Sequence, residues 1–126
     1  MLQLLLSKMF TIIKNKKLYD YYYSSQEKDE TIVEEVYIYF PKYSPYIYED
    51  LTTLPFYEFH IVVIRRICKN KNEEYKLIYN AYHPEENELL IIIEKLINYI
   101  SKKLNDEERI ELLTIYSLFR LIENKR

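Results

Sequence analysis

The sequence predicts an α+β fold: an N-terminal helix, an antiparallel sheet of about four strands, and a C-terminal helical hairpin packed on one face. Three observations predict it. Leu2, Leu5, Leu6, Met9, Phe10 and Ile13 recur at helical spacing at the start of the chain. The middle holds runs of β-branched and aromatic residues that suit strands. Two long helical stripes with a cap signal between them close it. A length of 126 residues, 48% hydrophobic and 30% charged, fits one globular domain over residues 1–126.

The first helix covers Met1 to Lys14. Ser7 and Lys8 interrupt its apolar run, so it is too short to span a bilayer, and it lacks the basic leader and small-residue cleavage site of a signal peptide. A cytoplasmic protein is expected. Lys16 to Tyr23 reads as a strand and Ser24 to Glu30 as a turn. Thr31 to Phe40 alternates, with Ile32, Val36, Ile38 and Phe40 on one face and Val33, Glu35, Tyr37 and Tyr39 on the other. Pro41 to Pro55 is irregular, carries three prolines, and contains Tyr43, Tyr46 and Tyr48 beside Glu49 and Asp50. Connections of this length are often functional.

Phe56 to Cys68 is apolar on both faces in its middle, which predicts a central strand. Lys69 to Asn72 turns the chain, with Asn70 or Asn72 able to take the left-handed conformation, and Glu73 to Tyr82 returns. His83-Pro84-Glu85-Glu86 opens a helix whose stripe is Leu89, Ile92, Ile93, Leu96, Ile97, Ile100 and Leu104. Asn105 and Glu108 have capping-box spacing, and Leu112, Ile115, Tyr116, Phe119 and Ile122 form the last stripe. Leu90, Ile91, Leu118 and Leu121 fall outside these stripes. Such helices are buried on a second side, within the chain or in a homodimer.

Composition narrows the function. No glycine occurs, so no glycine-built phosphate loop or dinucleotide fingerprint is possible, and no cofactor or small-molecule substrate is implied. Cys68 is the only cysteine, which excludes an intrachain disulfide. A net charge of −2 argues against a surface made wholly for nucleic acid. Ala81 is the only alanine, and Ile, Lys, Asn and Tyr abound, as an AT-rich genome would produce. Fifteen tyrosines against five phenylalanines escape that explanation, because both have AT-rich codons. In this Gly-poor, Tyr-, Ile- and Lys-rich composition the chain resembles the small orphan proteins of crenarchaeal viruses. That resemblance implies a host-interaction role, such as inhibition of a host defence or transcription complex.

The catalytic inventory is thin. Residues 60 and 68 on one strand are roughly 26 Å apart at ~3.3 Å per residue, so His60 cannot serve Cys68 as a base. His83 could reach Cys68 across the hairpin, although a buried structural cysteine is the ordinary fate of that residue. Two histidines without a close pair make no zinc motif, and no metal site is expected. Glu74 and Lys76, with Asp50 or Glu58, faintly outline a metal-dependent nuclease, but Glu123-Asn124-Lys125 repeats the spacing at the C-terminus. Arg65, Arg66, Lys69 and Lys71 form an acid-free basic hairpin. Lys16 and Lys17 precede Tyr21 and Tyr23, and cations beside aromatic rings are the materials of single-strand binding. Tyr37, Tyr39, Tyr43, Tyr46 and Tyr48 suit a protein contact instead, since tyrosine offers large area at low entropic cost. A non-enzymatic protein-docking role is the leading expectation and nucleic-acid binding the alternative.

Overall fold

The computed structural model describes residues 1–28, 30–41, 59–79 and 88–124. Seven elements follow in order: α1 (Leu2–Lys16), β1 (Tyr21–Gln26), β2 (Ile32–Pro41), β3 (Phe59–Lys69), β4 (Asn72–Tyr79), α2 (Glu88–Ser101) and α3 (Asp106–Asn124). The four strands form one antiparallel sheet in the order β1-β2-β3-β4. Residues 42–58 and 80–87 lie outside the described residues, and with them Tyr43, Tyr46, Tyr48, Asp50, Glu58, His83 and the expected entry to α2.

The expected stripes become the core. Leu5, Leu6, Met9, Phe10 and Ile13 of α1 are buried together with Val36 and Ile38 of β2 and Val62 and Ile64 of β3. Ile92, Ile93, Leu96, Ile97 and Ile100 of α2, and Leu112 and Phe119 of α3, join the same cluster. α1 makes the broad contact with the sheet, against β2, β3 and β4, and both C-terminal helices pack against α1. The α2 side reaches the sheet through Tyr99, whose ring meets Phe40 edge-on at 5.7 Å and whose hydroxyl donates to the Leu18 carbonyl at 3.2 Å. Ile122, expected in the α3 stripe, is 40% exposed. It sits roughly 60° round the helix from Phe119 at 3.6 residues per turn, past the edge of the buried face.

Lys16 and Lys17 end α1 and do not begin a strand. Lys17 takes the left-handed conformation (φ 55°), and its N–H and that of Leu18 donate to the carbonyls of Lys14 (3.3 Å) and Ile13 (2.9 Å). This is a Schellman closure, usually built on glycine. The strand therefore starts later, and Ser24, Ser25 and Gln26, expected in a turn, pair with Glu34, Val33 and Ile32. At the other hairpin Asn70 (φ 53°) and Lys71 (φ 68°) are both left-handed between the paired Lys69 and Asn72. Positive φ at both central residues is the two-residue turn that matches strand twist, and Asn-Gly is its ordinary sequence. Asn70 meets the expectation and Asn72 belongs to β4.

The two outer strands differ. At β4, the Gln3 side chain of α1 accepts from the Tyr75 N–H and donates to the Tyr75 carbonyl, both at 2.7 Å, and so satisfies outward-facing backbone groups of that edge. Among the described residues no strand pairs with the outer edge of β1.

A left-handed non-glycine residue carries a steric penalty of ~1 kcal/mol, of which glycine's extra unfolded-state entropy offsets part. We predict that Lys71→Gly raises stability by about 0.5 kcal/mol, while Lys71→Val, β-branched at positive φ, lowers it by about 1 kcal/mol or more. Thermal melts of the two variants should therefore move in opposite directions from the parent.

Candidate functional site

Antiparallel register sets two charge doublets against each other. Glu34 and Glu35 on β2 pair with Arg66 and Arg65 on β3. Because neighbouring side chains on a strand leave by opposite faces, one ion pair falls on each side of the sheet.

On the helix-covered side Glu34 is only 6% exposed. One carboxylate oxygen accepts from Lys14 Nζ at 2.5 Å and from the Tyr22 hydroxyl, and the other accepts from Arg66 Nη1 at 2.6 Å. Arg66 extends the network to β4 through Nη2 and Nε, which donate to Glu73 at 2.5 and 3.2 Å. The Tyr75 hydroxyl donates to the other Glu73 oxygen at 3.2 Å. Lys14, Tyr22, Glu34, Arg66 and Glu73 thus join α1 to all four strands. Burial alone would push the Glu34 carboxyl up, but hydrogen bonds from Lys14, Tyr22 and Arg66, with the lysine charge, bring it below the ordinary carboxylate range. Arg66 likewise holds Glu73 down. The hydrogen bond to Glu34 raises both Lys14 and Tyr22. An open depression of about 370 Å³ is lined here by Ser7, Thr11, Lys14, Glu34, Arg66 and Glu73 among others. Its charges are spent on one another, so the arrangement is suited to holding elements together and poorly suited to proton transfer.

The opposite face carries tyrosines. Tyr21 and Tyr37 are cross-strand partners whose rings meet edge-on at 5.3 Å. Tyr37 and Tyr39 are half-buried and pack on Ile61 and Val63. Next along, Glu35 accepts from Arg65 Nε at 2.9 Å and from the Tyr37 hydroxyl at 3.3 Å. Burial, then the Glu35 charge, pushes the Tyr37 phenol up. Among the described residues the rings most open to solvent are Tyr21 (51% exposed) and Tyr23 (41%) on the outer strand.

The basic hairpin is therefore not an uncompensated patch. Arg65 and Arg66 are ion-paired, and Lys16 is bound to Glu108 at 3.0 Å. Lys17, Lys69 and Lys71 are exposed. Cys68 is half-buried, and Glu74 and Lys76 stand opposite Ile67 and Arg65 in the β3–β4 register. Among the described residues no group of three or more His, Cys, Asp or Glu could hold a metal ion, and no helix is long and apolar enough to cross a membrane.

Sequence reasoning passed over Glu34. Its signal was available: an acidic doublet on one strand and a basic doublet on the next. The tyrosine surplus also has a partly internal meaning. The hydroxyls of Tyr22, Tyr37, Tyr75 and Tyr99 each donate to a carboxylate or carbonyl of the same chain, a bond phenylalanine cannot make. Compared with family models, curated proteins and solved structures, the chain matches none of them.

Removing one partner from a buried charge cluster leaves the others uncompensated. Glu34→Gln should cost about 2–3 kcal/mol in denaturant unfolding, moderated because Lys14 can rehydrate and Arg66 keeps Glu73. Glu34 and Glu73 have depressed values, so their stabilisation is complete above the ordinary carboxylate pKa and lost as pH falls through the lower folded values. Lys14 and Tyr22 have raised values, so theirs is complete below about 10 and lost as pH rises through the folded values. The stability gap between parent and Glu34→Gln should accordingly be flat between about pH 5 and 8 and shrink in acid. A gap that stays constant down to pH 2 would contradict this account.

Proposed function

We propose that the protein is a non-enzymatic docking module that binds another protein through the outer edge of β1 and the tyrosines beside it. The observation that carries this reading is the asymmetry of the sheet's two edges. β4 bears Glu73, Glu74 and Lys76 and is tied to α1 through Gln3. β1 reads Tyr-Tyr-Tyr-Ser-Ser-Gln and has no charge or proline in its six residues. Exposed strand edges are normally blunted by those devices, and one that is not can accept an added strand. An extended partner segment laid along β1 would gain main-chain hydrogen bonds and set its side chains beside Tyr21 and Tyr23.

Several features agree. Tyrosine is enriched at contact surfaces because a large amphipathic ring has few rotamers to lose. Tyr37 and Tyr39, expected as primary contacts, back this patch, with Tyr21 and Tyr23 as its exposed rings. Nucleic-acid binding is the weaker reading, because a phosphate would have to displace carboxylates from Arg65, Arg66 and Lys16. The compositional resemblance to crenarchaeal viral proteins supports a partner from the host, such as a defence or transcription complex, met in the host cytoplasm.

The experiment is affinity capture of the partner followed by titration of variants. Tyr21→Ala with Tyr23→Ala should weaken binding about 10- to 100-fold, as for central aromatic contacts, with little change in thermal stability. Ser24→Lys, which charges the edge without removing a ring, should weaken it too. Unaltered affinity in both variants would remove β1 from the interface. In the same preparation, salt-sensitive binding of an oligonucleotide would favour the nucleic-acid reading.

A further inference from the structure

Opposite its buried stripe, α3 carries a second apolar face. Ile110 (66% exposed), Leu113, Leu118 (48%) and Leu121 (57%) point away from the core, with Thr114 and Ser117 between them. The Thr114 hydroxyl donates back to the Ile110 carbonyl at 2.7 Å, so its polarity is turned into the helix. An isolated exposed leucine needs no explanation. Six consecutive outward positions without a charge, spanning ~16 Å of helix at ~1.5 Å per residue, are a different matter.

We infer that this face binds a second copy of the same chain, α3 against α3 in antiparallel orientation about a two-fold axis. The stripe is self-complementary about a centre between Ile115 and Tyr116. Antiparallel pairing on that centre sets Ile110 opposite Leu121 of the other copy at both ends. Leu113 and Leu118, on the two flanks, come opposite the small Ser117 and Thr114, so that large side chains meet small ones. A two-fold contact requires this kind of self-match. Small central residues let two helices approach to the 8–10 Å separation of packed pairs.

Charge selects the direction. The first turn of α3 is Asp106-Glu107-Glu108. The last turn of the helix carries no basic residue. A parallel pair would set acidic turn against acidic turn. The antiparallel pair keeps the two acidic turns at opposite ends and opposes the helix dipoles. A single helix pair of this length buries less than the ~800 Å² per partner of a standard interface, so the dimer is reversible and half-formed in roughly the micromolar range. This surface lies on a different element from the β1 edge, and the two contacts are testable separately.

The test is the solution mass by sedimentation equilibrium from about 1 to 500 μM, on three proteins, with circular dichroism and thermal melts confirming the fold. The parent chain should pass from monomer to dimer. Ile110→Glu with Leu121→Glu should remain monomeric, since every end contact becomes carboxylate on carboxylate. Ile110→Lys with Leu121→Glu should still dimerise, because only the antiparallel pairing places lysine on glutamate. A parent that is monomeric throughout leaves the stripe to some other partner and overturns the inference. So does a dimer that survives in the double-glutamate variant, or loss of association in both variants.

Discussion

Withdrawing a carboxylate from water costs several kcal/mol unless its charge is met by donors in good geometry. Glu34 is withdrawn, and its donors come from three different elements: Lys14 of α1, Tyr22 of β1 and Arg66 of β3. The helix must therefore lie across the sheet at the height where Lys14 reaches Glu34. The outer strand must present Tyr22 on the helix side. Arg66, fixed by Glu34, is then placed to hold Glu73 and so the start of β4. Apolar packing supplies most of the driving force for folding but is tolerant of small shifts. Hydrogen-bonded charge is not, because a misplaced donor leaves a buried group unsatisfied.

The paired doublets add a constraint on strand register. A slip of one residue between β2 and β3 would keep one Glu–Arg pairing and set the second glutamate against Ile64 or Ile67. It would also turn Val36 and Ile38 away from the core, since side-chain direction reverses with every residue. Charge and hydrophobic pattern thus specify the same alignment independently. Agreement of that kind is what gives one structure a clear energy gap over its near neighbours.

Much of the fold was legible because its signals are local. The apolar stripes of the three helices recur every three or four residues, and the Asn105–Glu108 box forms both its reciprocal hydrogen bonds, at 2.8 and 3.2 Å. The end of α1 was not legible. A left-handed glycine announces a helix end, whereas Lys17 looks like any other surface lysine. Nor was the site, whose contacts join residues far apart in sequence. Lys14 and Arg66 read as part of two basic stretches until the structure placed Glu34 between them. The tyrosines divide in the same way. Period-two alternation put Tyr37 and Tyr39 on the face opposite Val36 and Ile38, but nothing local distinguishes a ring whose hydroxyl serves a carboxylate from one, like Tyr21 or Tyr23, that stands open to solvent.

Heat changes the balance of these forces. Hydration of charged groups carries a strongly negative entropy, so the cost of withdrawing them from water falls as temperature rises, while apolar burial approaches a plateau. A network that spans five elements through Glu34 and Arg66 therefore gains relative weight on warming. The seam between helix and sheet, where the charges lie, would be among the last parts of this molecule to loosen at high temperature.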